Sequence, residues 1–275
     1  MGVGEIIALV FVHLSFVSSL VLTGITARKR QRTLLHISFY FLALTMIVLN
    51  LGTMLEMDCR LITGQPVTST VNMLFIDLCY LGICMNPVAV LFFGRVVYKP
   101  DWKPSARHLL FFIIPLISFM IVCSNSAHNL FFKNFSLYST EAVYGPYFYF
   151  HSLYSYACIL TGLAHIVLFT LRHSGIISKQ FLLVFLSLII PLAGNIMFSF
   201  GYADLPFSVS ACLFTVSVVC IFVAIYKYRF ITVTPIDMRQ VVDLVSDSFL
   251  PNILEKLSAR EMSGLPFSIS NCPTP

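Results

Sequence analysis

Charge is scarce in this chain: Asp, Glu, Lys and Arg make up 11% of its 275 residues, against about 25% in an ordinary soluble domain. Such a chain cannot cover a water-facing surface, so a soluble fold is excluded. No Walker loop and no glycine-rich phosphate cradle is present, which removes nucleotide-phosphate chemistry. The last apolar run, Phe207 to Tyr226, holds no lysine, so retinal attachment is excluded. It holds no histidine either, and His13, His151 and His165 lie too far apart in depth to build one zinc site, which counts against an intramembrane metal-dependent hydrolase. Histidine stops at His173, so the stretch from Lys227 to Pro275 offers none to phosphorylate. That stretch is also shorter than a kinase or cyclase domain, which takes ~100 residues or more. No internal repeat of the kind that marks many transporters is present, inverted or parallel.

What the chain has is apolar length. Hydrophobic residues make up 58% of it, and one bilayer crossing takes about 20 apolar residues. Seven runs between polar breaks predict an all-α, polytopic seven-transmembrane-helix bundle: Ile6 to Thr26, Leu34 to Glu56, Val67 to Phe93, His108 to Asn125, Phe148 to Leu171, Gln180 to Gly201 and Phe207 to Tyr226. Residues 1–230 form this membrane domain, 231–262 juxtamembrane signalling helices, and 263–275 a turn-rich tail expected to be disordered. All but Arg60 and Lys133 of the 17 basic residues fall on one side of the seven spans. The positive-inside rule therefore puts the N-terminus outside and the C-terminus in the cytoplasm of a multi-pass plasma-membrane protein. The net charge of +5 reflects that cytoplasmic collection, and neither a nucleic-acid partner nor a cofactor is expected. Met-Gly-Val-Gly-Glu offers no basic region ahead of the first run, so span one is expected to stay as an anchor.

Of the cysteines, Cys59 and Cys123 lie near the outer ends of spans two and four; a disulfide between them and small apolar filler are both open readings, the second being favoured. The longest outer loop, Ser126 to Tyr147, is rich in aromatics, including Phe131, Phe132, Phe135, Tyr138 and Tyr144. Such residues are most often belt anchors at the membrane interface; lining a ligand mouth is the second reading.

Polar groups at membrane depth are costly and need a partner or a task. His13, Asn50, Asp77, His151 and Asn195, from five different spans, fall in the outer half or near the midplane. Their convergence is what an outward-opening polar cavity would produce, although interhelical hydrogen bonding accounts for each taken singly. Span five carries Tyr147, His151, Tyr154, Ser155, Cys158, Gly162 and His165 at spacings of three and four, a stripe expected to look into the bundle. Span six answers with Ser187, Pro191, Gly194, Asn195 and Ser199. Pro191 and Asn86-Pro87 are expected helix bends. Asp77 is either a structural carboxyl or a ligand or proton contact. After span seven, Thr234 as N-cap and Pro235 at the first helical position open an amphipathic helix whose Met238, Val241, Val242, Val245 and Phe249 repeat at helical spacing. It is suited to pairing with a copy of itself as a homodimer.

From about Tyr144 to Asp247 the chain resembles the seven-transmembrane N-terminal sensor region of bacterial histidine kinases, a region also found ahead of diguanylate cyclase domains. The matching stretches are Tyr144-Gly-Pro-Tyr-Phe-Tyr-Phe-His151 with Tyr154-Ser-Tyr156, Lys179-Gln180, Ile190-Pro-Leu-Ala-Gly-Asn195, and Asp237-Met-Arg-Gln-Val-Val-Asp-Leu-Val-Ser-Asp247. Spans one to four agree mainly in topology. The resemblance implies a non-enzymatic sensor in which an unknown small-molecule or physical signal shifts the bundle and the exit helix passes the shift to a kinase or cyclase partner. Ser248 to Pro275 departs from the pattern, resembling no cytoplasmic domain, so the input module is expected to stop before any catalytic domain. The expected ligand site is Asp77, Tyr147, His151, Tyr154 and Asn195; the expected transmission residues are Pro191, Pro235, Val241, Val242 and Val245. A small transporter or channel is the competing class; the strongly apolar inner half of spans six and seven counts against it.

Overall fold

In the computed structural model the described residues are 3–27, 33–173 and 176–201, together with Leu213, Val216, Ser217, Val219, Cys220, Ile221, Val223 and Ala224. All belong to one unit, Met1–Ile231. The basic cluster Arg28 to Arg32, the exit helix with Pro235, Val241, Val242 and Val245, and the tail lie outside the described residues.

The bundle consists of α1 (Val3–Ala27), α2 (Leu34–Thr63), α3 (Thr70–Tyr98), a 3-10 turn (Ala106–Phe112) leading into α4 (Ile113–Cys123), the short α5 (Asn125–His128), α6 (Pro146–Arg172) and α7 (Ile176–Ser199). Among the described residues six stretches are long and apolar enough to cross a membrane, Ala106–Cys123 counting as one. The described positions of the seventh expected span are helical, and its Ile221 and Ala224 are buried in the main core.

Several helices run past the expected span ends for local reasons. The α2 helix continues beyond Glu56 to Thr63 because its charges are paired: Arg60 Nε donates to Glu56 Oε1 at 3.0 Å and Nη1 to Glu5 Oε1 at 2.8 Å, while His13 meets Asp58 at 3.2 Å. It stops at Gly64, whose φ of 66° is a left-handed cap. The fourth span opens as a 3-10 turn rather than an α-helix. Pro115 has no N–H for the carbonyl of Phe111 four residues earlier, and that oxygen instead accepts from Tyr154 Oη of α6 at 2.6 Å.

The central helix is α3, packed between α2 and α6. Glycines let the backbones meet: Gly82 lies against Thr45 and Leu49 of α2, and Gly94 faces Gly162 of α6, so that a Cβ on either would run into the other helix's main chain. Close approach at small residues is how helices associate where lipid removes the hydrophobic drive between them. The perimeter is apolar; Val10, Leu14, Val17 and Val21 of α1 and Leu153, Leu160 and Leu171 of α6 all face outward, as lipid contact requires.

The outer loop contains structure that the sequence pattern does not predict. Two short strands, β1 (Phe132–Asn134) and β2 (Val143–Tyr144), pair antiparallel with Phe132 opposite Tyr144. Phe131 and Phe132 are 0% and 4% exposed, so they are not belt anchors but plugs in the outer end of the bundle, each burial contributing roughly 1.5–3 kcal/mol. Asn125 fixes them there. Its Oδ1 accepts from the backbone N–H of Phe131 at 2.9 Å and of Phe132 at 3.0 Å, and its Nδ2 donates to the Phe132 carbonyl at 2.9 Å. Cys59 and Cys123 are free thiols.

Candidate functional site

Beneath this loop lies a cavity of about 130 Å³. Its roof is Phe131 and Tyr144 of the loop with Phe148 at the start of α6; its walls come from α2 (Met46, Leu49, Thr53), α3 (Tyr80, Ile83, Asn86, Pro87, Val90), α6 (His151, Ser152, Ser155, Tyr156, Ile159) and α7 (Leu188, Pro191, Leu192, Asn195, Phe198, Ser199). Pro87 and Pro191, which lie inside α3 and α7, are both in this wall. Neither can donate to the carbonyl one turn back, Ile83 and Ser187 respectively, so both helices are locally weakened at the same chamber.

The roof is stacked aromatic. Tyr144 and Phe148 lie face to face, 3.7 Å between centroids at 13°, while Phe131 meets Tyr80, Phe148 and His151 at 5.6, 5.6 and 5.5 Å. Offset and edge-on ring contacts of this kind add about 0.5–1.5 kcal/mol each beyond area burial. Burial also pushes the Tyr144 phenol, which lies outside the spans, up to about 12.

The polar wall is tied together in pairs. His151 is 5% exposed; its Nδ1 meets Ser118 Oγ at 2.9 Å and its Nε2 meets Ser155 Oγ at 3.3 Å, so hydroxyls serve both ring nitrogens. Ser118 Oγ in turn meets Tyr147 Oη at 3.1 Å. Tyr156 Oη donates to Asn195 Oδ1 at 3.2 Å, joining α6 to α7, and Asn86 Nδ2 donates to Thr45 Oγ1 at 3.2 Å, joining α3 to α2.

Of the five expected ligand residues the structure brings His151 and Asn195 to the cavity. Tyr147 reaches His151 only through Ser118, and Tyr154 turns toward Phe111. Asp77 is half-buried, with no hydrogen bond or ion pair among the described residues; it sits about 10 Å from the outer end of α3 at 1.5 Å per residue. The five polar groups expected to converge disperse: His13 pairs with Asp58, and Asn50 Nδ2 donates to Ser15 Oγ at 3.2 Å. Sequence reasoning missed Ser118 and Asn125. A serine in an apolar span and an asparagine at a span's end carry no pattern that marks a distant partner or a role as a loop anchor. Among the described residues no group of three His, Cys, Asp or Glu side chains is placed to hold a metal ion.

The family model described as the N-terminal 7TM region of histidine kinase matches residues 10–235. The match takes in spans one to four, where the sequence resembles the family mainly in topology, and stops short of Asp247. No curated protein and no solved structure matches the chain.

Proposed function

The chain belongs to the family of N-terminal seven-transmembrane regions of histidine kinase, and from this we propose that it is the signal-sensing input module of a two-component or cyclic-di-GMP-type system, reading its signal in the cavity under the outer loop. It is a multi-pass protein of the plasma membrane, and its family is a non-catalytic input region. The observation that carries the reading is one chamber walled by four spans, two of which, α3 and α7, carry a proline at the chamber wall. A ligand that fits one arrangement of those helices better than another shifts the population toward it. Pro191 lies in the helix that leads into the seventh span, from which the chain continues toward the kinase or cyclase partner.

In this reading His151 and Asn195 contact the signal, Tyr147 positions His151 through Ser118, and Tyr154 is a structural tie between α6 and the turn before α4. Asp77 stands outside the site. The test is a chimera in which a kinase module follows span seven, assayed for autophosphorylation in membranes with His151→Ala and Asn195→Leu. A severalfold change in output is expected from each; unaltered output with both changed would remove the site.

A further inference from the structure

We infer that the cavity takes an uncharged molecule of about one ring in size that carries an amide or alcohol group, rather than an ion or a charged metabolite. This rests on the reading of the cavity as the sensing site. The volume of about 130 Å³ is near that of an apolar cavity of ~150 Å³ that holds benzene. Among the described lining residues none is Lys, Arg, Asp or Glu. The seventh span cannot add one, because Phe207 to Tyr226 contains none. A charged ligand would therefore be stripped of water with no opposite charge among the described lining residues or in the seventh span to meet it, which costs several kcal/mol. His151 is the lone basic side chain of the described wall, and both its nitrogens are already engaged.

Two amides give the site its polar specificity. Thr45 Oγ1 donates to the Leu42 carbonyl at 2.8 Å, so it can only accept from Asn86; that fixes Asn86 Nδ2 on Thr45 and leaves Oδ1 as an acceptor. Asn195 Oδ1 accepts from Tyr156, which leaves Nδ2 as a donor. One spare acceptor on α3 and one spare donor on α7 suit a neutral group that both gives and takes a hydrogen bond. The aromatic roof of Phe131, Tyr144 and Phe148, with Tyr80 of the α3 wall, suits the ring.

The test uses the full chain in nanodiscs with benzamide and benzyl alcohol as neutral probes and benzoate and benzylammonium as charged ones, read by thermal shift and saturation-transfer NMR. Saturable binding of the neutral pair alone is expected, weakened roughly three- to tenfold by Asn195→Leu, the loss of one hydrogen bond, and abolished by the cavity-filling Ser152→Phe. Tight binding of a charged probe that Ser152→Phe abolishes would overturn the ligand class while leaving the site. Neutral binding unaffected by both Ser152→Phe and Asn195→Leu would overturn the site itself. Should Ser152→Phe fail to fold, Asn195→Leu and Asn86→Leu decide the same question: weakened neutral-probe binding supports the site, and unchanged affinity in both overturns it.

Discussion

A single side chain, Asn125, holds the roof of the cavity by three hydrogen bonds to the backbone of Phe131 and Phe132. At about 1 kcal/mol net for each, Asn125→Ala is expected to destabilise the loop by about 2–3 kcal/mol and to speed amide hydrogen exchange at both phenylalanines. Asn125→Asp keeps the acceptor oxygen and should cost less. The same scale shows how much of the site the sequence carried. His151 and Asn195 were legible as polar groups at depth, whereas Tyr147 and Tyr154 meet neighbours that no spacing identifies. At about 100° per residue, Phe148, Ser152, Ser155, Tyr156 and Ile159 lie about 40° to 140° to one side of His151, whereas Tyr147 and Tyr154 lie about 40° to 60° to the other. A stripe at spacings of three and four spans both sectors. How α6 packs on α3, α4 and α7 decides which sector faces the cavity.

At the scale of elements, helix contacts are set by where a side chain is missing. A Cβ on Gly162 would lie 2.6 Å from the Val90 carbonyl oxygen, whereas one on Gly24 would meet nothing within 4 Å. Gly162→Ala should force α3 and α6 apart and cost about 1–3 kcal/mol; Gly24→Ala should be neutral or gain up to about 1 kcal/mol in helix propensity. Thermal denaturation in detergent separates the two. The helices themselves were legible as apolar runs, while their ends were not, because a paired charge such as Arg60 looks in sequence like a break. The hairpin was hidden for a different reason: Phe131 and Phe132 are as suited to the membrane surface as to a buried plug, and Asn125 makes the difference.

For the whole molecule, topology was the most legible property, since lipid penalises charge and the basic residues collect on one side. That arrangement predicts that Lys133→Cys, with Cys59→Ser, Cys123→Ser and Cys272→Ser to remove the thiols at the outer span ends and in the tail, reacts with a membrane-impermeant maleimide in intact cells. Lys103→Cys in the same background should react only after permeabilisation. The expected outward-opening polar space was to be lined by His13, Asn50, Asp77, His151 and Asn195, of which His151 and Asn195 line the cavity; its apolar lining and aromatic cover depend on which loop folds over the bundle, a tertiary fact that no periodicity encodes. The central claim, that the chamber beneath that loop reads the signal, is tested most directly by the autophosphorylation of a kinase module fused after span seven, compared between the native bundle and Ser152→Phe. Filling the chamber is predicted to fix output at one level that no longer responds to benzamide; a response as large as that of the native bundle would contradict the account.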